Sequence, residues 1–200
     1  MKKILSLVLA LVLSLSFASV AMGEYNMVTY RHPVLGYSLQ APADWLYLDS
    51  QNIAKVMSDP SVAKQFPNID ISAYVDQCVA NEMAMFLQPN GVNFNIVSEY
   101  VGAPYSAEQL VSLLLPNLRS QYQQIFGMVD FLVEGDVFKA GDNEYAYVMY
   151  VTGDIIGAQY CICESGRLYY LTLTTNSALN TLEYIQVEKM FEKVLASFAE

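Results

Sequence analysis

EYAYVMYVTGDIIGAQYCICESGRLYYLTLTT, residues 144–175, reads as three β-strands in succession: Glu144–Thr152, Ile156–Cys163 and Arg167–Thr175. The joints are Gly153-Asp154 and Ser165-Gly166, both turn-forming pairs. Six of the chain's 15 tyrosines fall here: Tyr145, Tyr147, Tyr150, Tyr160, Tyr169 and Tyr170. Aromatic and β-branched side chains suit a pleated, half-buried surface. The run is therefore the middle of one antiparallel sheet. In the first strand Tyr145, Tyr147, Met149 and Val151 fall on one side, and Ala146, Val148 and Tyr150 on the other. A sheet wet on one face alternates apolar with polar. This one is apolar or aromatic on both faces, so helices are expected above and below it.

Working outward, Val129 to Phe138 is a further strand, joined to the meander by the turn Ala140-Gly141-Asp142-Asn143. Before it, Ser106 to Phe126 is a long helix. Ser106 and Gln109 form a capping box, and Leu110, Leu113, Leu114, Leu118, Tyr122 and Ile125 form one stripe. Pro116 is expected to kink this helix or to end its first half, and Gly127 to stop it. Met83–Gln88 and Val92–Val101 form a hairpin around Pro89-Asn90-Gly91. Ile71 to Asn81 reads as a helix, with a strand as its alternative, and Ser50 to Phe66 holds short helical pieces broken at Asp59-Pro60. Two short strands, Met27–His32 and Tyr37–Ala41, open the domain. Trp45, the only tryptophan, is expected to plug the sheet edge or a core corner. After the meander, Asn180 to the end is a helix whose apolar face runs Leu182, Ile185, Val187, Met190, Phe191, Val194, Leu195 and Phe198. Consecutive strands without intervening helices mean antiparallel pairing. The expected fold is α+β: an antiparallel sheet of about six to eight strands in a three-layer α/β/α sandwich.

The first residues are not part of that domain. Lys2 and Lys3 precede an uncharged, leucine-rich run from Ile4 to Phe17, and small residues follow to Ala21. That is the layout of a signal peptide. Cleavage after Ala21 gives a leader of residues 1–21 and one domain of residues 22–200; cleavage after Gly23 also meets the small-residue rule. The apolar run is shorter than the roughly 20 residues of a spanning helix, so membrane attachment would come only through an uncleaved leader. The chain carries 10 basic and 20 acidic residues, a net charge of −10, and losing Lys2 and Lys3 lowers it by two more. The remaining basic residues are scattered singly, which excludes a nucleic-acid footprint and disfavours an anionic membrane surface. Cys78, Cys161 and Cys163 make an odd count. Cys161 and Cys163 sit too far apart on one strand for an easy bridge. Buried free thiols are the plain reading, and a bridge from Cys78 to one of the others is the alternative.

Gly36-Tyr37-Ser38-Leu39-Gln40-Ala41-Pro42, followed by Trp45, resembles the opening of the PsbP-like superfamily. The late run of strands Tyr145–Val151, Gln159–Cys163 and Leu168–Thr174, closed by a helix ending at Ser197-Phe198, resembles it too. That superfamily includes the photosystem II extrinsic protein, the Mog-type Ran-binding proteins and exported proteins of the DcrB kind. The resemblance implies an antiparallel sheet between helices and an accessory or binding role. The matched positions are turn and core residues, so no functional residue carries over.

Chemistry is sparse. His32, the only histidine, precedes Pro33 in a turn, where a structural role is expected of it. No nucleophile elbow, zinc-type His-Glu-x-x-His or Walker loop occurs. Asp130, Glu134 and Asp136 share a strand face, with Glu144 expected nearby on the paired strand. Such a row suits calcium or, as Glu134 and Asp136, a glycosidase pair; a solvated strip is the plainer reading. Trp45 and Tyr147 are the aromatic candidates for contact with a ligand. These features point to an exported, non-enzymatic binding or accessory domain with no cofactor or bound metal. It is expected to act at the bacterial cell envelope or outside it on a protein or small ligand. The alternative is an extracytoplasmic hydrolase using paired carboxylates.

Overall fold

The computed structural model describes residues 25–67, 69–126, 132–152, 154–176 and 179–200. The leader, Gly127, the expected strand start at Val129, Asp130 and Gly153 lie outside them. The strands are β1 Met27–Arg31, β2 Ser38–Pro42, β3 Leu46–Leu48, β4 Ala84–Leu87, β5 Asn93–Tyr100, β6 Leu132–Ala140, β7 Asn143–Thr152, β8 Ile155–Glu164 and β9 Arg167–Asn176. Helices α1 Ile53–Met57 and α2 Pro60–Gln65 follow β3. A 3-10 turn, Ile71–Tyr74, runs into α3 Val75–Ala80. Helix α4 is Ala107–Phe126 and α5 is Thr181–Ala196.

Seven strands form one sheet in the order β3-β4-β5-β9-β8-β7-β6, with every neighbouring pair antiparallel. The chain climbs from β3 to β5, crosses through α4 to the far edge at β6, and returns strand by strand until β9 pairs with β5. The meander's turns behave as their sequence requires. Ser165 and Gly166 both take positive φ, 44° and 77°, the twist that joins two strands with two residues.

The first two strands pair with each other and stand apart from the large sheet, a difference from the single sheet expected. They lie beside α5 over one face. There Tyr37, Leu39 and Trp45 share a buried cluster with Phe86, Phe94, Tyr145, Tyr169 and the α5 residues Met190, Phe191 and Val194. The opposite face is covered in two parts. Helix α4 sets Leu110 and Leu114 over Ala146, Cys161 and Leu168. The α1–α3 segment sets Ile53, Phe66 and Cys78 over Leu48, Met85 and Leu87. The result is three layers, helix–sheet–helix, and the face parity read from the tyrosines holds. Each fully buried aliphatic or aromatic side chain contributes about 1.5–3 kcal/mol.

Three local details differ from expectation. Helix α4 is continuous through Pro116, so the proline does not end its first half. Packing on the sheet by Leu110, Leu114 and Leu115 anchors the turns that lead into the proline. Asn117 Nδ2 also donates to the Leu113 carbonyl at 3.1 Å, serving a carbonyl within the disturbed turn. Strand β3 is too short for alternation to show, and forms because β4 presents an edge to it. Glu144 does not join Glu134 and Asp136. It lies five pairs along the β6–β7 ladder from Glu134–Met149, opposite Lys139, with Nζ and Oε1 3.7 Å apart.

Candidate functional site

The β1–β2 hairpin hangs over the β3–β4 end of the sheet and leaves a cleft of about 380 Å³ between the β1 edge and Tyr47. That lies in the size range of small-ligand sites, about 300–1,000 Å³. Its walls are largely aromatic. Tyr30 meets Phe86 edge-on with centroids 5.1 Å apart, and Tyr47 lies 5.9 Å from Tyr30. Trp45 packs on Phe94 at 5.6 Å. It is 5% exposed, fills a core corner as expected, and also lines the cleft. Its indole Nε1 is buried without a hydrogen-bond partner. Tyr47, 46% exposed, is the accessible aromatic face.

One carboxylate lies in this wall, Asp49, only 4% exposed. Burial of a charge requires partners, and Asp49 has three. Its Oδ1 accepts from the backbone N–H groups of Gln51 and Asn52 at 3.0 and 2.9 Å, and its Oδ2 accepts from the Tyr30 hydroxyl at 3.1 Å. Asn52 Oδ1 returns a bond from the Asp49 N–H at 2.8 Å. Asp49 therefore ties the start of α1 to the hairpin. Burial, reinforced by Asp49, pushes the Tyr30 hydroxyl far above the usual phenol range, so Tyr30 stays a donor.

His32 sits just behind this wall, 1% exposed and stacked on Tyr37 at 4.9 Å. Its Nδ1 accepts from the Val34 and Leu35 N–H groups at 3.2 and 3.0 Å. That fixes the β1–β2 turn and leaves the ring neutral. Burial lowers its pKa, opposed by the Glu82 and Asp49 carboxylates. The histidine is a turn clamp whose Nδ1 faces its own backbone instead of a nucleophile.

Tyr147, Glu134 and Asp136 lie toward the opposite edge of the sheet from Trp45. Asp136 stands directly opposite Tyr147 in the β6–β7 ladder and Glu134 opposite Met149, both acids exposed on the edge strand. Asp136 Oδ1 accepts from the Val137 N–H at 2.7 Å. Tyr147 packs on Tyr160 at 4.9 Å, and Tyr160 on Phe191 of α5 at 5.5 Å. Burial, then Glu188 and Glu134, push the Tyr147 hydroxyl up to about 12. Burial also raises the Glu188 carboxyl above the ordinary range, while its bond from the Tyr184 hydroxyl opposes this. The fold thus brings three of the four candidates onto one face and puts Trp45 in a different place. Among the described residues no three His, Cys, Asp or Glu side chains converge to hold a metal ion. The three cysteines are free thiols; Cys78 and Cys161 are buried in separate clusters on the same side of the sheet. Burial pushes the Cys78 thiol to about 11.

Sequence reading missed Tyr30, Arg31, Tyr47, Asp49 and Phe86, which line the cleft with Trp45. They come from three separate stretches, and no short-range pattern links them.

No family model matches the chain, and no curated protein sequence matches it. Among solved structures it is similar to the solution structure of cyanobacterial PsbP (CyanoP) from Synechocystis sp. PCC 6803. The TM-score is 0.50 at 13% identity, over 92% of this chain and 98% of that one. The fold is PsbP-like. A protein from Bacteroides thetaiotaomicron VPI-5482, solved at 1.50 Å, matches with a TM-score of 0.43 and 12% identity, over 89% of this chain and 48% of that one. The PsbP-like sheet and its helices thus account for nearly all of the chain. At these identities the likeness describes a scaffold, and the cleft is a property of this chain's own side chains. Among the described residues no helix is long and apolar enough to cross a membrane.

Proposed function

We propose that this chain is an exported, non-enzymatic binding or accessory domain of the bacterial cell envelope or exterior, and that its cleft beside Trp45 holds a protein or small ligand. The observation carrying this reading is the cleft's composition. Tyr30, Tyr47, Trp45 and Phe86 supply apolar contact, while the single carboxylate, Asp49, is engaged by three hydrogen bonds. A catalytic acid or base needs free reach to a substrate proton; Asp49 is engaged by three hydrogen bonds, and His32 is buried with its Nδ1 held by its own turn. The leader-like residues 1–21 support export.

The test is a pulldown from envelope extract with the protein and with Tyr47→Ala, which removes an exposed ring from the cleft. A saturable partner that weakens by at least about tenfold with Tyr47→Ala supports binding, since aromatic anchors dominate interface energies. Turnover of a glycan library, abolished by Glu134→Gln, would overturn it in favour of carboxylate hydrolysis.

A further inference from the structure

The open edge of β1 says what kind of ligand fits the cleft; this step rests on the cleft being the binding surface. In the hairpin, the Ala43 N–H donates to the Asn26 carbonyl at 2.8 Å and the His32 N–H to the Tyr37 carbonyl at 2.8 Å. Antiparallel bonding alternates along a strand. Residues 26, 28, 30 and 32 therefore bond inward to β2, and the backbone N–H and C=O groups of Thr29 and Arg31 point away from it. Both residues are exposed and both line the cleft.

The other edge of the same hairpin is already extended. Ser38 and Ala199 exchange two backbone hydrogen bonds, at 2.7 and 2.9 Å, and the Gln40 N–H donates to Ser197 Oγ at 2.8 Å. The chain's own C-terminal residues thus lie along β2 as an added segment. The free edge of β1 offers the same backbone groups on the cleft side, with no occupant from this chain among the described residues.

Charge narrows the choice further. Arg31 is the only basic residue lining the cleft, and it makes no ion pair among the described residues. Asp49 is buried and engaged, so the unmatched charge in the cleft is positive even though the whole chain is acidic.

We propose that the cleft takes an extended peptide segment of a partner protein, which adds as a strand to the β1 edge, sets an acidic side chain on Arg31 and lays an apolar one on Tyr47 and Phe86. Main-chain bonds to Thr29 and Arg31 supply affinity, and alternate side chains supply selectivity, the usual division in strand addition.

Trp45 is the only tryptophan and lines the cleft, so its emission reports occupancy directly. A random library of linear peptides is selected on the full chain, and enriched peptides are titrated by Trp45 fluorescence. The expected peptides alternate apolar and polar positions around one acidic residue and shift Trp45 saturably. Methylating their alternate backbone nitrogens abolishes the shift. Arg31→Glu weakens them by at least about tenfold, and a version with lysine in place of the acid then binds the Arg31→Glu protein better than the acidic original does. Arg31 is exposed, so circular dichroism of the variant serves as the folding control. Peptides that leave Trp45 unmoved, that tolerate backbone methylation, or that show no preference for an acid overturn the proposal. If so, a pulldown partner still sensitive to Tyr47→Ala would leave the cleft as a binding surface and remove only strand addition.

Discussion

Gly157 and His32 show single positions fixed by what surrounds them. A Cβ built on Gly157 would lie 1.9 Å from the Tyr150 ring, which lies across it from the neighbouring strand and is itself buried. Gly157→Ala must therefore displace an aromatic side chain from the α4 face. We expect it to cost about 1–3 kcal/mol, read as a lower denaturant midpoint, with Gly157→Ala costing much less in a Tyr150→Ala background. An equal cost in both backgrounds would show that the ring is not what excludes the methyl. His32 sets a pH dependence. Its folded pKa is lowered by burial from an ordinary value of 6.5. As pH falls below that value the unfolded chain takes up the proton first, so the stability present above it is lost toward the lower, folded pKa. His32→Asn keeps an acceptor for the turn and removes the titration. Its unfolding free energy is expected to vary less with pH below 6.5 than the parent's. Identical slopes would mean that His32 takes its proton as easily folded as unfolded.

Among the elements, α4 carries the clearest conflict between local rule and observed structure. Proline deep inside a helix costs about 3 kcal/mol relative to alanine, yet Ala107–Phe126 is continuous. The sheet contacts of Leu110, Leu114 and Leu115 outweigh the local penalty. Pro116→Ala is therefore expected to raise stability by about 1–3 kcal/mol in equilibrium denaturation; a loss of stability would mean that the packing on α4 requires the proline ring. At α5 the two rules agree. Asn180 caps its first turn with Glu183 reciprocating, and the last turn is held from the β6–β7 turn. There Asn143 Nδ2 donates to the Leu195 and Phe198 carbonyls at 3.1 and 2.9 Å, and the Tyr145 hydroxyl to Leu195 at 2.7 Å. Glu134 and Asp136 belong to this scale as well. Charges on an outermost strand discourage pairing with another sheet, which gives them a structural purpose on β6.

Across the whole molecule, the PsbP-like frame is closed by β9 pairing with β5, residues far apart in sequence. Its three cysteines sit in the layer formed by α1–α4 and the adjoining sheet face, without bridging. Thiol titration of the denatured, unreduced protein is expected to count three, with Cys78 and Cys161 slow to react while it is folded. A count of one would mean a disulfide that this arrangement does not contain.

Much of this architecture was legible residue by residue. Tyr145 and Ala146 disclosed their opposite faces by simple alternation, Ser165-Gly166 disclosed a hairpin turn, and the stripe from Leu110 to Leu114 disclosed a helix seated on the sheet. These are local properties, set by side-chain period and by backbone conformations that few residues adopt. Tertiary structure alone decided that Met27–Arg31 and Ser38–Pro42 leave the large sheet, that Glu144 pairs with Lys139, and that Arg31, Trp45, Tyr47 and Phe86 meet around one cleft. Alternation tells a strand which face to bury but not which neighbour to take, because every strand edge offers the same backbone donors and acceptors. The choice of neighbour, and with it the cleft, follows from how the layers pack together.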